Sequence, residues 1–201
     1  MANIDAAFGL RPYRQVGGNY NNQGVGSYSI QTSAITGVAN AIYYGQPVIP
    51  LNTGVISYAG AAAGGTVANL GVFIGCEYTD LTGKPRWSNY YPGTASLKSS
   101  TACKASIVDD PYALYTINCD AAAADGLVFA NANFATSITG STTTGVSYGE
   151  LAVSTADVTA TLNLRILGFE DSPGNADATA AGRLAIVRLN VQAIPTVLSV
   201  G

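Results

Sequence analysis

Between residues 70 and 79 the side chains alternate, and no other stretch restricts the possible folds so tightly. Leu70, Val72, Ile74, Cys76 and Tyr78 take one set of positions; Gly71, Gly75, Glu77 and Thr79 take the other, with Phe73 as the exception. A period of two is the mark of a half-buried strand. Asp80-Leu81-Thr82-Gly83 then supplies turn chemistry, with Gly83 free to take a positive φ. The next run carries Trp87, the one tryptophan of the chain, between Arg86 and Ser88. Alternation there places its ring in the core and its neighbours in water. Pro85 and Pro92 bracket the run, which suits an edge or a short strand. Residues 70–92 therefore read as a β-hairpin.

The rest of the chain repeats the pattern in shorter pieces. Residues 27–31 alternate, with Tyr28 and Ile30 inward, and residues 41–44 and 47–51 are two short β candidates. Residues 59–69 form a loop, since paired glycines break an alanine-driven helix. Strands are expected over 104–108, ended by Asp109-Asp110-Pro111, and over 112–119, with Tyr115, Ile117 and Cys119 on one face. Asp120 and the alanines after it can cap one or two helical turns, stopped by Gly126. Residues 135–149 are a Gly/Ser/Thr loop, and 158–169 hold the most regular alternation of all. A loop over 170–182 precedes a last strand over 183–194, with Leu189 and Val191 inward. Eight to ten short strands with little helix make a mainly β fold, an antiparallel β-sandwich or a barrel-like single domain. At 201 residues it can bury roughly 70% of its unfolded surface.

The N-terminal segment departs from this. Residues 1–26 contain Phe8-Gly9-Leu10-Arg11-Pro12-Tyr13 and then a polar, glycine-rich tract. With so few apolar residues they are expected to form an extended arm or loop, leaving 27–201 as the β-rich body. Phe8, Leu10 and Tyr13 would be anchors that a free arm leaves in water. Arg11 beside Pro12 offers a charged contact of fixed φ, suited to an acidic surface. The alternative is that residues 9–16 form the first strand of the same sheet.

Several kinds of chemistry are excluded. Nine basic and twelve acidic residues give a net charge of −3, without the basic cluster that nucleic acid requires. Three widely spaced cysteines fit neither a disulfide framework nor a zinc motif, and Cys76 reads as a buried thiol. No basic n-region precedes an apolar core, and no apolar run approaches a membrane span, so a cytosolic origin without a membrane is expected. Gly145-Val146-Ser147-Tyr148-Gly149 matches a nucleophile elbow, but the chain has no histidine to take the serine proton. Asp109 and Asp110 are adjacent, so their carboxylates diverge, and they read as a turn before Pro111. Glu170, Asp171, Asn175 and Asp177 lack the spacing of a calcium loop. Gly83-Lys84 lacks the upstream glycine of a phosphate loop. Twelve tyrosines could form a carbohydrate platform, yet in a sheet protein they suit packing or an interface better. The expectation is a protein that is not an enzyme, with no catalytic, cofactor or metal-binding residues.

Five segments carry a resemblance: FGLRP, YYGQPVIPL, GVFIGCEYTDLTGKPRWSNYYPG, VDDPYALYTI and a late LRILGF…SPGNAD…VRLNV. Together they resemble small virion proteins of tailed bacteriophages, the capsid decoration or cement proteins. The resemblance implies a structural protein on the capsid exterior, assembled in the host cytoplasm. Its implied partners are the major capsid protein and its own copies, as a homotrimer. Capsid-contact candidates are then Phe8, Leu10, Arg11, Pro12 and Tyr13. A tail or baseplate component, and a host- or glycan-binding module, are the rival readings.

Overall fold

The computed structural model describes residues 3–16, 24–59, 68–135 and 139–193. Two antiparallel sheets pack face to face as a β-sandwich. Sheet A contains β1 (Arg11–Gln15), β8 (Ala113–Asn118), β9 (Asn131–Phe134), β10 (Leu151–Asp157), β11 (Leu164–Phe169) and β12 (Leu184–Leu189). Their order across the sheet is β1-β8-β12-β11-β9-β10. Sheet B contains β2 (Val25–Gln31), β3 (Pro47–Pro50), β4 (Ile56–Tyr58), β5 (Gly71–Thr79), β6 (Pro85–Ser88) and β7 (Cys103–Val108). It runs β2-β7-β5-β3-β4, with β6 added alongside β5. No α-helix occurs among the described residues, and 3-10 turns stand at Thr94–Ser96, Asp125–Leu127 and Pro173–Asn175.

The middle of sheet B is buried on both faces. Val72 and Val108 join Leu10, Tyr115, Ile117, Leu151, Leu164 and Val187 in the core between the sheets. Phe73, Ile107, Ala105, Cys76 and Cys103 point the other way, where Ile42, Tyr91 and Leu97 of the loops cover them in a second cluster. A β-bulge between Phe73 and Gly75 makes this possible. The extra residue reverses which face the following side chains take. Val72 and Ile74 therefore meet the inter-sheet core while Cys76 joins Phe73 on the far side. Strict alternation from Val72 through Cys76 misses that reversal.

The same geometry corrects the place of Trp87. The turn pairs Thr79 with Pro85, and counting back along both strands sets Trp87 opposite Glu77. Glu77 is exposed, and Trp87 shares its face at 67% exposure, not in the core. The hairpin exists as expected; its second strand sets Trp87 on a face that nothing covers at this end of the sheet.

Other expectations change for equally local reasons. Residues 113–118 are buried on both faces: Ala113, Tyr115 and Ile117 join the inter-sheet core, and on the other side Asn118 donates to Asp5 and Glu150. Asp120 caps no helix: its Oδ1 accepts the Val153 N–H at 2.9 Å. Only the second half of 158–169 is strand. Val158 is 88% exposed at the start of a turn, and Asn163 ends it fully covered. Asn131 Nδ2 donates to the carbonyls of Val158 and Thr159, and Asn190 Nδ2 to those of Ala160 and Leu162. Side chains from neighbouring strands thus hold a turn that contains neither glycine nor proline. Most of the loop expected over 59–69 lies outside the described residues, and the strand expected over 183–194 ends at Leu189, with residues 190–193 forming a bend and a turn whose one bridge is Gln192 to Asn69.

Candidate binding surface at the first strand

The described part of the expected N-terminal arm is built into the sandwich. Gly9 N–H donates to the Gly149 carbonyl at 3.0 Å, and Leu10 N–H to the Gly45 carbonyl at 2.8 Å. Leu10 is fully buried in the inter-sheet core and is unavailable to any partner. Residues 11–15 then pair with β8 as the edge strand of sheet A. This is the alternative first strand. Leu10 and the backbone pairing of β1 overturn the free-arm reading for residues 9–15. The polar tract over 17–23 lies outside the described residues.

What β1 leaves exposed is a short, fixed array. Arg11, Pro12, Tyr13 and Arg14 all face solvent. The Arg11 guanidinium lies 4.3 Å above the ring of half-buried Phe8, a cation–π contact that fixes its direction. Pro12 pairs with Tyr115 and Arg14 with Leu114, so Tyr13 is the extra residue of a bulge. A bulge re-aims the side chain it carries, and Tyr13 projects with 49% of its surface exposed. Beside it, where β1 meets β2 and β5, Pro12, Tyr13, Val25, Tyr44, Ile74 and Val108 line a groove of about 420 Å³. Of the five sequence-selected residues, four lie at this surface and Leu10 lies beneath it.

The serine motif resolves into packing. Ser147 is fully buried. Its Oγ accepts the Gly149 N–H at 2.9 Å and lies 3.4 Å from the Thr139 carbonyl that it donates to. Its backbone N–H donates to Tyr44, so the segment is stitched to Gly45 and through it to Leu10. There is no strand-to-helix elbow here and no general base.

The acidic candidates are also committed. Asp109 Oδ2 accepts the Tyr28 hydroxyl at 2.5 Å, and Asp110 Oδ1 accepts the Tyr112 N–H at the Pro111 turn. Burial, and then the hydrogen bond to Asp109, push the Tyr28 hydroxyl up to about 12. Asn175 is buried, donating to the carbonyls of Glu170 and Leu184 and accepting the Leu184 N–H. It closes the 170–184 loop. Asp177 is joined to Asn3 through two backbone contacts. Among the described residues no group of three or more His, Cys, Asp or Glu side chains could hold a metal ion.

Cys76, Cys103 and Cys119 are buried and free. A contact with Cys103, together with burial, raises the Cys76 thiol far above its ordinary range. Burial pushes Cys119 up to about 12. Cys76 and Cys119 therefore stay protonated and unreactive.

No family model, no curated protein and no solved structure matches the chain.

Proposed function

We propose that this chain is a structural virion protein that binds the outside of a bacteriophage capsid as a decoration protein, with β1 as its contact strand. One observation carries the reading: β1 presents Arg11, Pro12 and the bulged Tyr13 from an open sheet edge that Leu10 anchors in the core. A contact strand held in advance loses little conformational freedom on docking. Two arginines suit an acidic partner, and the adjoining apolar groove suits an aliphatic or aromatic side chain from it. The resemblance of the FGLRP segment and of the later motifs to cement proteins points the same way. Under this reading the protein is not an enzyme, its partners are the major capsid protein and two further copies of itself, and it acts in the virion exterior. Repetition over the shell turns modest single contacts into a strong collective one.

Point substitutions are the right probe, because a deletion through residue 16 also removes a core residue. Tyr13→Ala and Arg11→Glu, added to undecorated capsids, should each weaken binding by roughly tenfold while the melting temperature stays within a degree or two. Full-strength binding by the double variant would remove β1 from the interface. Gel densitometry of purified virions should give a copy number in the hundreds; a handful of copies would favour a tail or baseplate component.

A further inference from the structure

The face of sheet B that meets sheet A continues beyond it. On β7, Val108 lies in the inter-sheet core, and alternation carries the same face through Ser106 to Lys104. Lys104 stands opposite Glu77, and Glu77 opposite Trp87. One row further, Thr79 faces Pro85, with Ala102 alongside. These residues form a groove of about 500 Å³, within the range of about 300–1,000 Å³ common for small-ligand sites.

The groove is chemically particular. Trp87 is largely exposed yet backed by β5: a Cβ on Gly75 would lie 3.1 Å from the indole, so the glycine lets the ring rest close against the strand. Glu77 and Lys104 are exposed, and neither side chain makes a hydrogen bond or ion pair among the described residues. The one other charged lining group, Arg86, is already paired with Asp80 at 3.0 Å. Asp80 in turn accepts from Thr82 Oγ1–H, the Thr82 and Lys84 N–H groups and Arg86 Nε. Those bonds, the Thr82 hydroxyl first, hold its carboxyl well below the usual carboxylate range and fix the turn that shapes the groove. The lining thus offers the Trp87 ring, the Glu77 carboxylate as acceptor and the Lys104 ammonium as donor, beside Tyr78, Thr79 and an Arg86 whose charge Asp80 balances.

We propose that this groove is a binding site for a neutral saccharide. The C–H face of a pyranose ring stacks on the Trp87 indole, while its hydroxyls donate to the Glu77 carboxylate and accept from the Lys104 ammonium. An anion would meet Glu77, and a wholly apolar ligand would strip water from two charged groups without replacing its hydrogen bonds. Addition of a peptide strand is disfavoured, because β6 is four residues long, begins at Pro85, and the groove lies on its face instead of its edge. The site shares no residue with the β1 surface, so it stands whether or not the capsid reading does.

The single tryptophan is a built-in reporter. The full chain would be titrated with glucose, galactose, N-acetylglucosamine, maltotriose, lactose and chitotriose up to about 10 mM, where even a millimolar Kd nears saturation. Trp87 emission should change saturably with at least one of them. By calorimetry, Trp87→Ala should weaken that binding by roughly tenfold or more and Glu77→Gln by roughly threefold or more, with unchanged melting temperatures. The proposal is overturned if none of the six gives a saturable change, or if Trp87→Ala binds as well as the parent chain. It is equally overturned if only a proline-rich peptide, or the protein's own concentration, shifts the emission.

Discussion

The segment around Ser147 and the hairpin around Trp87 have opposite relations to water. A serine is wholly enclosed at one, and a tryptophan stands 67% exposed at the other. Hydrophobicity alone would exchange them. The serine can be buried because its hydroxyl satisfies the Gly149 N–H and its backbone is bonded to Tyr44. The tryptophan is exposed because its strand turns it to the side of Glu77 and Lys104, which the opposing sheet leaves uncovered at that end. Position in the assembled sheets, together with hydrogen-bond satisfaction, decides burial at both places.

The sharpest way to break this comparison is at Gly9, where the enclosed segment meets the first strand. Its φ is +74°, and an added Cβ would lie 2.7 Å from the Gly45 carbonyl oxygen and 2.8 Å from Ser147 Cβ. Gly9→Ala should destabilise the fold by about 2–4 kcal/mol in urea denaturation. A loss below about 0.5 kcal/mol would mean that the junction is loose. Ser147→Ala comes next, at about 1–3 kcal/mol, because it strands a buried N–H. Turnover of a test ester by the parent chain, abolished by this substitution, would restore a catalytic reading of the motif.

Tyr28 lies between the two extremes, half-buried and bonded to Asp109. Tyr28→Phe should cost about 1 kcal/mol. Its hydroxyl ionises near 12 in the folded protein and near 10 when unfolded. The unfolded chain therefore loses the proton first, and stability present below pH 10 should fall as pH rises towards about 12. Burial raises Tyr115 and Tyr91 in the same direction. Denaturation midpoints measured from pH 8 to 12 should decline less steeply in the Phe variant. The smallest effect belongs to Trp87→Ala, expected within about 0.5 kcal/mol of the parent. Native emission should resemble indole in water and be quenched readily by acrylamide; a blue-shifted, protected signal in a dilute monomer would put the ring back inside.

Legibility followed the range of the interactions. Residues 70–79, 104–108 and 184–189 announce themselves because each strand's own side chains carry the alternation. Residues 131–134 do not: Asn-Ala-Asn-Phe has low β-propensity, and it is strand because β10 and β11 flank it. The turn over 158–163 was hidden since its clamps, Asn131 and Asn190, come from elsewhere in the chain. The parity of Trp87 was recoverable in principle from the turn length, which fixes the register against Glu77. Of the binding surface, Arg11, Pro12 and Tyr13 were visible as a group, while the burial of Leu10 depends on Gly45 and the inter-sheet core.

The order of strands in sheet A has a consequence for synthesis. All of sheet B lies within residues 25–108, but β12, made last, sits between β8 and β11, and β1, made first, must wait for β8. At about 5–20 residues per second, roughly 4–16 s separate the end of β7 from the end of β12 on the ribosome. During that interval Val72, Ile74 and Val108 have no opposing sheet. Ribosome-bound chains stalled near residue 150 should accordingly be cut by protease on the N-terminal side of β2, whereas released chains should resist. The protein becomes a sandwich only after β12 slides into the middle, so until residues 184–189 are available the inner face of sheet B is exposed to chaperones.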